Sequence, residues 1–176
     1  LVGLKEAMNV KCLVAYFSNS GRTRSVAEMI ARELSADIEE ILERKPRPPL
    51  LDEDGKPTGG SSMPRAAGPA MLGMGSAIRQ SSANPSDYDL VLVGTPVWVN
   101  SLVPAVRSYI KRHRKQLKAV AFFCTAGDSE KVRVFSQMEK LTKCEPVATL
   151  AVQADDVKTN AYGEAVLSFV ERIRDR

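Results

Sequence analysis

The run Ser18-Asn19-Ser20-Gly21-Arg22-Thr23 packs three hydroxyls, a glycine and a guanidinium into one short stretch. That combination suits a phosphate monoester, which needs many donors and tolerates little crowding. The hydroxyls of Ser18, Ser20 and Thr23 can donate. Gly21 lets the chain turn closely around an anion. A helix opening here would point its first amides outward, and its dipole would favour negative charge. No Gly-Lys-Ser/Thr follows, so this is not a nucleoside-triphosphate loop, and the dinucleotide pattern GxGxxG is absent. Taken alone, a Ser/Thr/Gly turn before a helix is also ordinary capping.

Two later stretches could act with it. Thr95-Pro96-Val97-Trp98 holds the single tryptophan of the chain, a ring suited to a site apolar on one side and wet on the other. Thr125-Ala126-Gly127-Asp128 is small and turn-forming, so backbone amides there can approach a flat ligand. Other reactive side chains are less promising. Cys12, Cys124 and Cys144 form no CxxC pair and no zinc spacing; they are expected to be reduced, buried thiols of a cytoplasmic protein. His113 is the single histidine, makes no metal site alone, and is expected on solvated surface.

The elements that must position these residues follow from apolar patterning. Residues 9–17 (NVKCLVAYF) read as a buried strand, and Val26, Ala27, Met29, Ile30 and Leu34 recur at helical spacing after it. Residues 37–42 suggest a second, acidic strand. Residues 88–94 (YDLVLVG), 119–124 and 145–153 read as three more strands. Residues 95–100 are expected as a loop, with Ser101 capping a helix through Val103, Val106 and Ile110. Asp128 or Ser129 would cap a helix through Leu141, and residues 160–173 would form the last one. Residues 44–87 form an insertion, partly irregular, with a short helix expected near 66–80. Strands alternating with helices over 176 residues predict one α/β domain with a parallel sheet covered on both faces. Ligands in such sheets bind at the carboxyl ends of the strands.

Net charge is +4 with a pI of about 9.0. Residues 90–127 contain no Asp or Glu, and Arg107, Lys111, Arg112, Arg114, Lys115 and Lys118 form a basic run there. A solvated helix end is the expected reading. No nucleic-acid module accompanies it, no apolar run is long enough for a membrane helix, and residues 1–11 lack a secretory stretch. The chain opens on Leu1, with Met8 an expected natural start.

LVAYFSNSGRTRSVAEMIA resembles the first strand, phosphate loop and first helix of the flavodoxin family. YDLVLVGTPVWVNSLVPAVRSYI is similar to its third strand, flavin loop and following helix, and FFCTAGDS to its third loop. The resemblance implies a three-layer sandwich whose five-stranded parallel sheet has the order 2-1-3-4-5, with the insertion after strand 2. It implies FMN as cofactor, its phosphate on Ser18, Asn19, Ser20, Gly21, Arg22 and Thr23. The ring would lie between Thr95, Pro96, Val97 and Trp98 on one side and Thr125, Ala126, Gly127 and Asp128 on the other. Arg22 departs from the usual uncharged residue, so it either bonds the phosphate or points to solvent. The third loop lacks the stacking tyrosine of many electron carriers, and Tyr162 lies too far along the chain to replace it.

Three functions remain open at this level. One is an FMN-dependent oxidoreductase passing electrons from a reduced pyridine nucleotide to a quinone-like acceptor. Another is a one-electron shuttle docking on a redox partner protein. The third is a non-redox interaction module on the same fold. Related reductases pair as homodimers, and residues 44–87 could mediate that. The basic charge favours the enzyme over a carrier that docks through an acidic surface.

Overall fold

A computed structural model describes residues 10–45, 73–98, 100–127 and 131–175. The elements are β1 (Cys12–Tyr16), α1 (Arg22–Leu34), β2 (Asp37–Glu40), β3 (Leu90–Trp98), β4 (Ser101–Leu102), α2 (Pro104–His113), β5 (Val120–Ala126), α3 (Lys131–Thr142), β6 (Thr149–Gln153), α4 (Ala154–Lys158) and α5 (Gly163–Arg174). The strand order is β2-β1-β3-β5-β6, with β4 paired to β3 outside that path. All pairs along the path are parallel, so the five parallel strands have the expected order. The short antiparallel β4 is additional.

Burial explains why the strands read differently in sequence. Every residue of β1 and β5 is buried, and so are the first six of β3. These central strands meet helices on both faces, so nothing polar alternates with the apolar residues. The edge strand β6 alternates, and the other edge, β2, keeps Asp37 and Ile38 exposed. Leu13, Ala15, Val91, Val93 and Phe122 pack against α2 and α3 through Val106, Ile110, Val134 and Met138. Val14, Leu92, Phe123 and Leu150 meet α1 and α5 on the opposite face through Val26, Ile30, Val166 and Phe169.

Several boundaries differ from the sequence reading. β3 runs on through Trp98, and Ser101 lies in β4 rather than capping a helix. Val103 is the N-cap of α2, with Pro104 in the first turn as expected. Pairing of Val97 with Leu102 and Trp98 with Ser101 outweighs the capping preference of Ser101. The last strand begins at Thr149, and the last helix is preceded by the separate α4. Residues 73–80 form no helix. There Glu43 bridges Ile78, and the Arg79 amide donates to the Leu42 carbonyl at 2.8 Å. The remainder of the helix expected near 66–80, and the Asp128 or Ser129 cap, lie outside the described residues.

His113 and Arg107 also depart from expectation. Both are buried, at 8% exposure each, whereas Lys111, Arg112, Arg114, Lys115 and Lys118 are exposed. His113 Nδ1 lies 2.6 Å from Gln116 Oε1, its Nε2 lies 3.0 Å from Ser81 Oγ, and its ring tilts on Tyr109. It thus joins the returning insertion to the end of α2. The three cysteines form no disulfide, and Cys12 and Cys124 are buried as expected, while Cys144 is half-buried.

Tyr88 fixes β2 from the other end of the insertion, its hydroxyl donating to Asp37 Oδ2 at 2.8 Å. Burial first, and then this bond, pushes its phenol up to about 12. A folded-state pKa above the ordinary value means that folding favours the protonated phenol. Its contribution is complete below about pH 10 and is lost as pH rises through the folded value. Urea melts on the alkaline side are therefore expected to show stability falling across this window, with a shallower fall for Tyr88→Phe.

Candidate functional site

β1, β3 and β5 are adjacent, so their carboxyl ends open onto one edge of the sheet. Tyr16 pairs with Gly94, and Pro96 with Thr125. Beyond Tyr16 the chain continues into Phe17, whose amide donates to the Gly94 carbonyl at 3.1 Å. The Phe17 ring meets Trp98 edge-on, with centroids 5.9 Å apart and an interplanar angle of 84°. The first stretch is thereby fastened to the second.

A second bond fastens it to the third. Thr23 Oγ1 and Thr125 Oγ1 lie 2.8 Å apart, both buried although 102 residues separate them in sequence. The stretches around Thr23, Trp98 and Thr125 thus converge. Ser18, Asn19, Gly21 and Arg22 are half-buried and Ser20 is exposed. Pro96, Val97 and Trp98 are half-buried, while Thr95 is fully buried and its hydroxyl donates to the Pro96 carbonyl. Ala126 is buried and Gly127 exposed; Asp128 lies outside the described residues.

Gly21 opens α1. Its φ of 85° and ψ of −20° are left-handed, and it serves as N-cap without a side-chain bond. The Ser25 amide donates to the Gly21 carbonyl at 3.0 Å, closing the first turn. The amides before Ser25 have no intrahelical acceptor. That of Arg24 donates to Ser18 Oγ at 3.3 Å, which curls the loop over the helix end. Those of Arg22 and Thr23 face the position where the dipole favours an anion. No heavy atom lies within 4 Å of a Cβ built on Gly21. The cost of Gly21→Ala therefore comes from backbone conformation alone, about 1–2 kcal/mol, and equilibrium urea unfolding should show a loss of that size. Gly21→Asn, which tolerates the left-handed region better, should lose less.

Arg24 was not singled out by sequence. Its Nη2 donates to both Glu40 oxygens, at 2.7 and 2.8 Å, and the guanidinium lies beside the Tyr16 hydroxyl. It ties α1 to the ends of β1 and β2 and supports the loop from outside. Nothing in the local pattern distinguishes it from Arg22, two residues earlier. Among the described residues no group of His, Cys, Asp and Glu could hold a metal ion, and no helix is long and apolar enough to cross a membrane.

The edge so built is lined by small and polar groups. One helix end there suits a phosphate, and one indole lies at the same edge. Comparison with known proteins agrees with this fold. A family model described as Flavodoxin matches residues 11–154. The chain is similar in structure to a flavoprotein from Lactobacillus acidophilus solved in complex with FMN, with a TM-score of 0.64 and 20% identity, covering 87% of this chain and 98% of that one. It is also similar to a flavodoxin from Fusobacterium nucleatum solved bound to flavin mononucleotide, with a TM-score of 0.57 and 8% identity, covering 94% and 98%. A third likeness is to rubredoxin oxygen:oxidoreductase from Desulfovibrio gigas, with a TM-score of 0.53 and 14% identity, covering 97% of this chain but 37% of that one. No curated protein matches. With its sheet order, its convergent loops and a family match spanning most of its length, the chain belongs to the flavodoxin family.

Proposed function

We propose that this protein binds FMN at the carboxyl ends of β1, β3 and β5 and works as an oxidoreductase, passing electrons from a reduced pyridine nucleotide to a quinone-like acceptor. The observation that carries the reading is the convergence of three stretches distant in sequence, fastened by Thr23 to Thr125 and by Phe17 to Trp98. The residues fit the cofactor. Open helix amides after a left-handed Gly21 suit a phosphate, and a half-buried indole beside half-buried Pro96 and Val97 suits a planar ring.

FMN supplies the electron chemistry when bound. The chain's own residues bind and orient it. Ser18, Ser20 and the amides of Arg22 and Thr23 would hold the phosphate. Trp98 and the stretch 125–127 at the end of β5 would flank the ring, and the buried Thr23–Thr125 bond would keep the two regions in register. No side-chain acid or base is assigned. Support for an enzyme over a carrier comes from the net charge of +4 and from small residues, without an aromatic, at Thr125, Ala126 and Gly127, which leave room for an acceptor.

The test is anaerobic mixing of the FMN-loaded protein with reduced pyridine nucleotide. Bleaching of the flavin bands without a helper reductase, followed by recovery on adding a quinone, is the expected result. FMN-loaded protein that is inert to the nucleotide would overturn the enzyme reading in favour of a shuttle between proteins.

A further inference from the structure

Gln137 on α3 presents one carbonyl oxygen to three donors. The Leu102 amide lies 3.0 Å from Oε1, Arg107 Nη2 3.2 Å, and Ser101 Oγ 3.4 Å. The amide's orientation is not arbitrary: the Leu102 N–H and the guanidinium can only donate, so oxygen and not nitrogen must face them. Two of these donors are buried main-chain or guanidinium groups that need an acceptor. Leu102 is fully buried, and a buried amide without an acceptor is costly. Arg107 is also buried, its Nε has no hydrogen-bond partner among the described residues, and residues 90–127 supply no carboxylate. Burial accordingly lowers its pKa from the ordinary arginine value.

Two of the three donors belong to β4, whose residues pair with Val97 and Trp98. A two-residue strand cannot fix its own geometry. We infer that Gln137 is the positioning residue for the hairpin that carries Trp98, acting through this single acceptor from a neighbouring helix. Its consequence for cofactor binding rests on the flavin reading above; the fastening of the hairpin does not. Gln137 holds Ser101 and Leu102 of β4, which pair with Trp98 and Val97, so it acts on the indole through β4.

Trp98 is the single tryptophan, and its fluorescence reports the hairpin even without a cofactor. In the flavin-free protein, Gln137→Met keeps length and bulk but removes the acceptor. Its emission is expected to shift to the red and to be quenched more readily by acrylamide, and FMN affinity measured by titration should fall roughly tenfold. Gln137→Glu restores an acceptor oxygen and should recover the native emission. Gln137→Asn, a milder change that draws the oxygen back by one methylene, should shift emission in the same direction as Gln137→Met and serves where that variant does not fold. Native emission and quenching in both Gln137→Met and Gln137→Asn would overturn the inference whatever the flavin does. Wild-type protein that ignores FMN would overturn the flavin reading instead, while the emission shift still tests the fastening.

Discussion

Gly94→Ala is expected to destabilise the protein by about 3 kcal/mol, at the upper end of overpacking costs. Gly94 sits in β3 directly opposite Phe123 of β5. A Cβ built there would lie 2.1 Å from Phe123 Cζ and 2.4 Å from Cε2. The phenyl ring cannot retreat easily, since Phe123 is fully buried in the layer beneath α1 and α5. The glycine is therefore required by the close approach of a ring and not by a turn. In urea the midpoint should fall with an unchanged slope. Phe123→Ala alone should cost about 3–5 kcal/mol by leaving a cavity. The double variant should lose less than the sum, because each change relieves the other. A Gly94→Ala protein within about 0.5 kcal/mol of wild type would show that the ring has another place to go. Since the Gly94 carbonyl also accepts the Phe17 amide, this packing lies directly under the proposed phosphate loop.

Trp98→Ala is expected to weaken FMN binding about tenfold, from the loss of an aromatic contact of roughly 1.4 kcal/mol, and to shift the flavin potential. Trp98 packs edge-on against Phe17 and is half-buried, so part of the indole stays at the surface of this edge. Trp98→Phe should recover most of the affinity. Fluorescence titration of FMN and a redox titration of the complex measure the two effects. Unchanged affinity together with an unchanged potential would remove Trp98 from the site.

The parts of the fold legible in sequence are those decided by local pattern. The fully buried β1, β3 and β5 stand out as apolar runs because helices cover both their faces. α1 was legible from the recurrence of Val26, Ala27 and Ile30. Family resemblance and small-residue composition pointed to the same three stretches, but they read as loops residues 95–98, which continue β3, and residues 125–126, which end β5. What escaped depends on partners distant in the chain. Ser101 and Pro104 together suggest a helix start, yet pairing with Trp98 turns Ser101 into a strand. His113 looked solvated because its sequence neighbours are cations, but Ser81, 32 residues away, covers it. Arg107 looked like part of the same solvated run, and its bond to Gln137, 30 residues on, shows a buried environment instead. The bond between Thr23 and Thr125 spans 102 residues, so neither local composition nor periodicity could announce it.

The most direct measurement is a pair of calorimetric titrations of the flavin-free protein, one with FMN and one with riboflavin, which lacks only the phosphate. The helix end at Gly21 should make FMN bind saturably at one site, with riboflavin weaker by about tenfold or more. Equal affinities would contradict a phosphate seat on Ser18 to Thr23, and no binding of either would contradict the flavin site as a whole.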